Sequence, residues 1–104
     1  MTISLAEKRA LERLLVVTLR NEPIFSPELF RTLTGTSAES VVSVLERSEP
    51  LDFDDQRIKR LVFDVLNNLY NFPHRQDDRI LSEVGFTRTD ILELRNKIKL
   101  RYRH

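Results

Sequence analysis

His74 stands three residues before the carboxylate pair Asp77 and Asp78 in "HRQDD". An imidazole and two carboxylates are metal-ligand types, and a cation held there would polarise water. One imidazole beside two adjacent acids does not close a ligand set, however, and Asp77 is well placed to cap a following helix. "DFDD", Asp52 to Asp55, opens as a calcium loop does. It lacks the Gly at the sixth position, and Phe63 takes the place of the bidentate Glu at the twelfth. Two isolated Gly build no phosphate cradle, and without Cys there is no thiolate nucleophile, thiolate metal site or disulfide. The remaining carboxylates lie on charged helix faces, where solvation is the ordinary environment. The residues therefore predict no enzyme, no cofactor and no metal.

"VGFTRTDILELR", Val84 to Arg95, has the pattern of a helix-turn-helix corner. Val84 and Phe86 bracket Gly85, Ile91 supplies a β-branched residue six positions on, and Ile80 and Leu94 fit. Leu81 does not, because the close approach of two helices there wants a small side chain. A recognition helix must also meet phosphates and base edges. Its early outer residues here are Arg88, Thr89, Asp90 and Glu93, an excess of negative charge. Cations gather only later, at Arg95, Lys97, Lys99, Arg101 and Arg103. They could touch phosphates without reading sequence, but cations in a last turn also complement the helix dipole. A plain helix corner is the expected reading. Nucleic-acid binding through Arg88, Thr89, Lys97, Arg101 and Arg103 is the alternative.

The most distinctive surface is acidic. Glu46, Glu49, Asp52, Asp54 and Asp55 fall within ten residues, against Arg47 alone. Such a patch speeds encounter with a basic partner and fixes its orientation. Phe53 lies inside it, and Phe25, Tyr70 and Phe72 also fall at expected loops and helix ends. An aromatic residue left exposed there would anchor a partner. The expected partner-binding residues are Glu46, Glu49, Asp52, Phe53, Asp54 and Asp55.

These groups need a scaffold, and the chain of 104 residues is long enough for one domain, 1–104. Hydrophobic residues make up 40% and charged residues 32%, with two Gly, which suits helices joined by short turns. Ser4 and Glu7 form a capping box, opening a helix to about Arg20 with Leu11, Leu14, Leu15, Thr18 and Leu19 on one stripe. Pro23 breaks it. Ser26 and Pro27 start a second helix that Gly35 closes. Ser37 caps a third, with Val41, Val44 and Leu45 inward. Asp52 or Asp54 caps the fourth and central helix, whose stripe is Ile58, Leu61, Val62, Val65, Leu66 and Leu69. Pro73 ends it. A short fifth helix stops at Gly85, and Thr87 with Asp90 caps the last, which buries Ile91, Leu94 and Ile98.

Sliding the chain by 50 residues superposes Leu11 on Leu61, Leu19 on Leu69, Asn21 on Asn71, Pro23 on Pro73 and Gly35 on Gly85. Chance supplies about three such identities at average composition, so the count decides nothing. The roles matter more, since helix stops align with helix stops. The expected fold is all-α, a compact bundle of about six helices in two similar three-helix halves.

Two resemblances follow from these stretches. "DDRILSEVGFTRTDI", Asp77 to Ile91, resembles a stretch of the small arginine-rich YjiS-like proteins, some of which are linked to RNA. This chain has "NNLYNFPHRQ" where their Arg-rich segment stands. Over a longer span, "VFDVLNNLYNFPHRQDDRILSEVGFTRTDILELRNKI" is similar to the C-terminal half of small all-helical bacterial immunity proteins of toxin systems. That second resemblance implies a protein partner, a basic toxin or nuclease domain. The net charge of +1 supplies no global pull toward nucleic acid or membrane. The start of the chain has no basic region leading an apolar stretch. "LLVV" is far short of the ~20 apolar residues of a membrane span. A cytoplasmic protein that engages another protein is the expectation.

Overall fold

The computed structural model describes residues 3–20, 23–47, 51–71 and 75–102, with side chains as far as Ile98. It is an all-α bundle of α1 (Leu5–Leu19), α2 (Pro27–Thr34), α3 (Ala38–Leu45), α4 (Gln56–Asn71), α5 (Asp77–Val84) and α6 (Arg88–Tyr102). No strand occurs among the described residues. None of these helices is long and apolar enough to cross a membrane.

Local chemistry explains where the helices begin and end. Ser4 Oγ accepts from the Glu7 N–H at 3.1 Å, and the Glu7 carboxylate accepts from the Ser4 N–H at 3.0 Å. Thr87 and Asp90 repeat this box at 3.1 and 2.9 Å. Gly35 and Gly85 close α2 and α5 in the left-handed region, with φ of +72° and +89°. Both are surrounded by open space, so the requirement for Gly is one of backbone conformation.

Three caps differ from expectation. Asp55, not Asp52 or Asp54, caps α4, with its Oδ1 accepting from the Arg57 N–H at 2.8 Å. Asp52 is instead used one step earlier, holding the Asp54 N–H at 3.0 Å in a turn. Gln76, not Asp77, precedes α5. Asp77 enters the first turn, where a carboxylate complements the helix dipole. Ser37 stands before α3 but makes no side-chain cap bond.

The expected stripes of α1 and α4 are the core, from Leu11, Leu14 and Leu15 to Val65, Leu66 and Leu69. Thr18 joins it fully buried because its hydroxyl donates to the Leu14 carbonyl at 2.7 Å, leaving no polar group unmatched. α6 packs extensively along α4, as α3 does more briefly along α1. The short helices cross over, with α5 on α1 and α2 on α4. Each half thus closes the other's core.

The two halves correspond, but not in one register. Buried Ala10, Leu11, Leu14, Leu15 and Thr18 of α1 match Leu61, Val62, Val65, Leu66 and Leu69 of α4, a shift of 51. Phe30, Gly35 and Val41 match Ile80, Gly85 and Ile91, a shift of 50. The identities Leu11–Leu61 and Leu19–Leu69 are therefore one residue out of structural step. The halves also differ in length at their ends, since α3 has 8 residues and α6 has 15. Val44, Leu45 and Ile58, all expected inward, are only half-buried. A short α3 leaves these edges uncovered.

Candidate functional site

Between α3 and the first half of α4 lies a groove of about 720 Å³. Two rows of side chains at three-residue spacing form its walls: Val41 and Val44 of α3 with Arg47 just past its end, and Ile58, Leu61 and Asp64 of α4. Each row runs apolar, apolar, charged. Leu15 and Leu51 complete the apolar floor, and the α2–α3 corner at Gly35 closes one end. Residues three apart share a helix face, so both rows point into the same space.

The connector between α3 and α4 supplies the rim. Glu12 of α1 holds it, accepting from the Leu51 N–H at 2.9 Å across 39 residues of sequence. Asp52 and Asp55 line the rim. The Arg57 backbone N–H keeps the Asp55 carboxyl below its usual range, and the Arg57 side chain, at 3.4 Å, adds to this. Asp64 behaves in the opposite way. Burial raises its pKa, and the Arg60 charge one turn back offsets this only through space. The Asp64 side chain has no hydrogen bond or ion pair among the described residues.

The expected partner-binding residues are thus divided. Asp52 and Asp55 lie on the groove, and Asp54 is exposed beside them. Glu46 faces the Arg20 guanidinium at 3.6 Å on the outer surface. Glu49 lies outside the described residues. Phe53 is corrected: it is 5% exposed, turned inward beside Ile3, Val62 and Ile98. A ring in a tight turn at the foot of α4 gains more from filling this corner than from solvent. Phe25 is likewise buried, and Tyr70 lies half-buried under two guanidinium groups. Phe72 is outside the described residues.

The opening of α6 is engaged within the fold. Arg88 donates to the Tyr70 carbonyl, stacks 5.2 Å from the Tyr70 ring centre and lies 3.7 Å from Asp77. Arg95 donates to Asn67 at 3.0 Å, and Lys97 meets Glu7 at 2.9 Å. Apart from Arg88, the exposed positions along the part of α6 with described side chains are Thr89, Glu93 and Asn96, which carry no positive charge. Leu81, the misfit of the helix-turn-helix pattern, is 49% exposed, and α6 lies along α4. The side chains of Arg101 and Arg103 fall outside the described residues, as does His74. Among the described residues no three metal-ligand side chains cluster.

Glu7 makes acid stability testable. The Ser4 N–H lowers its pKa most, and Lys97 lowers it further, against a smaller opposing effect of burial. A depressed carboxyl contributes stability above its unfolded pKa and loses it as pH falls through the folded value. Lys97→Met is expected to destabilise the protein near neutrality and to flatten the acid limb. Urea unfolding at a series of pH values checks this, and parallel curves for the two proteins would count against the pairing.

The groove has a counterpart in the second half. Gly85, Phe86, Asp90, Leu94 and Lys97, with Glu7 opposite, line a space of about 230 Å³. They stand where the first half has Gly35, Thr36, Ser40, Val44 and Arg47, with Ile58 opposite. Sequence reasoning missed Asp64, Glu12 and the groove itself. Asp64 was visible only as a charged residue continuing the Ile58–Leu61 row, and Glu12 carried no signal.

No family model, curated protein or solved structure matches the chain.

Proposed function

We propose that the chain is a non-catalytic protein-binding module, an immunity or inhibitor protein that neutralises a basic toxin or nuclease domain in the cytoplasm by covering its active surface. The observation that supports this is the union of Asp52 and Asp55 with an apolar groove. Acids on a rim steer a basic partner, while apolar floor residues provide the area that holds it. Catalysis enters nowhere in this reading, and neither does a cofactor. The alternative, a nucleic-acid-binding regulator, would have to use Thr89, Arg101 and Arg103, because Arg88 and Lys97 are already engaged within the fold.

The test starts from affinity purification out of native cell extract, at moderate and high salt, with and without nuclease treatment. The retained protein is then titrated against the intact chain and against Asp52→Lys/Asp54→Lys. Asp55 is left alone because it caps α4. The reversal is expected to weaken binding about tenfold or more, with a smaller salt dependence. Unchanged affinity and salt dependence would remove the acidic connector from the interface. Nucleic acid recovered in place of protein, and lost at high salt, would favour the alternative.

A further inference from the structure

We infer that the groove between α3 and α4 receives an amphipathic helical segment of the partner, which seats a bulky apolar side chain between Val44 and Ile58 and places a Lys or Arg against Asp64. This rests on the protein-binding reading and specifies what the groove takes.

The internal correspondence of the halves is the first argument. In the second half the chain fills the matching space itself. Phe86 stands where the first half has Thr36, Leu94 where it has Val44, and Lys97 reaches across to Glu7 at 2.9 Å. The first half has smaller side chains at the first two positions, and Ile58 in place of the acid that would answer Arg47. The space is larger, about 720 against 230 Å³, and Val44, Leu51 and Ile58 of its lining are half-exposed. What is missing is apolar volume, and an occupant that supplies it buries these edges. Rows at three-residue spacing on α3 and α4 are ridges against which another helix can lie.

Charge is the second argument. Asp64 sits at the end of the α4 row, half-buried, and no cation among the described residues makes an ion pair with it. A carboxylate in that setting gains from a cation brought to it and loses if an anion is brought instead. The rim cation Arg57 is joined to Asp55, while Arg47 and Arg60 also line the groove, so its charge is balanced as a whole and the preference for a cation is local to Asp64. Arg60 is the charge nearest in sequence, and an occupant's cation would share Asp64 with it at some electrostatic cost.

The probes are blocked Ala-based helical peptides of about 15 residues. One carries Leu and Lys four positions apart, a second has Glu for Lys, and a third has Ala for Leu. Each is titrated into the intact chain with isotope-labelled amides and methyl groups. The Leu/Lys peptide is expected to shift the signals of Val44, Leu51 and Ile58, and to bind about tenfold more tightly than the other two. Asp64→Asn should bring the Lys and Glu peptides to near parity while preserving the fold. Val44→Phe, which puts a larger apolar side chain into the groove, should abolish the shifts, and Ile58→Lys serves if that variant packs badly. Equal affinity for Lys and Glu peptides, preference for Glu, or shifts confined to the surface around Leu5 and Leu81 would overturn the inference. Partner binding that survives Val44→Phe yet fails on the Asp52/Asp54 reversal overturns the groove alone. Survival of both changes overturns the protein-binding surface as well.

Discussion

Phe30→Ala should lower the free energy of unfolding by about 3–5 kcal/mol. Phe30 is the fully buried side chain of α2, and no other residue of that helix is buried. α2 has 8 residues, too few to be stable apart from its packing. It lies on α4 and α3, so removing the ring leaves a cavity and loosens the helix together. A domain of this size has about 5–15 kcal/mol of total stability, so the change takes a large share of it. The chain has no Trp, which makes circular dichroism during urea unfolding the practical readout. Phe30→Leu should cost much less, because it keeps most of the buried volume. A loss below about 1 kcal/mol for the Ala variant would mean that the site collapses around the missing ring.

Glu12→Ala should cost about 1–3 kcal/mol, a large effect for a surface-helix carboxylate. Its side chain is the acceptor for the Leu51 N–H at 2.9 Å, and without it a partly buried donor has no protein partner. Glu12→Gln keeps an acceptor oxygen and should lose less. Amide exchange at Leu51 separates this from a general loss of stability, since it should accelerate more than exchange in the α4 core. Leu51 and Asp52 are adjacent and both line the groove. Partner affinity should therefore fall with Glu12→Ala by more than the small change in net charge explains. Exchange at Leu51 that tracked global unfolding in every variant would remove Glu12 from this role.

Most of the fold was legible because its determinants are local. Capping boxes such as Ser4–Glu7 and Thr87–Asp90 declare themselves within four residues of sequence. The stripe from Leu61 to Leu69 declares itself by period. The groove was not legible, because it depends on how far α3 covers its neighbours, and packing distance has no periodic trace. Phe53 shows the same limit. An aromatic residue amid acids reads as surface until the turn that points it inward is known. Glu12 was hidden for another reason: a bond to a backbone amide 39 residues away makes no demand on the identity of Leu51. Asp52 or Asp54 was expected to cap α4 and Asp55 does, because any of these carboxylates can serve a nearby amide and the turn before α4 uses both Asp52 and Asp55.

The crossing of the short helices bears on how the protein is made. α1 is covered by α5, and α4 by α2. During synthesis α1 emerges with α3 as its first cover, and the chain must be extended through Asp77–Val84 before the rest of that cover exists. α2 waits in the same way for α4. The first half alone can set only α3 against α1 and α2, so both helices are fully covered only once the second half has emerged.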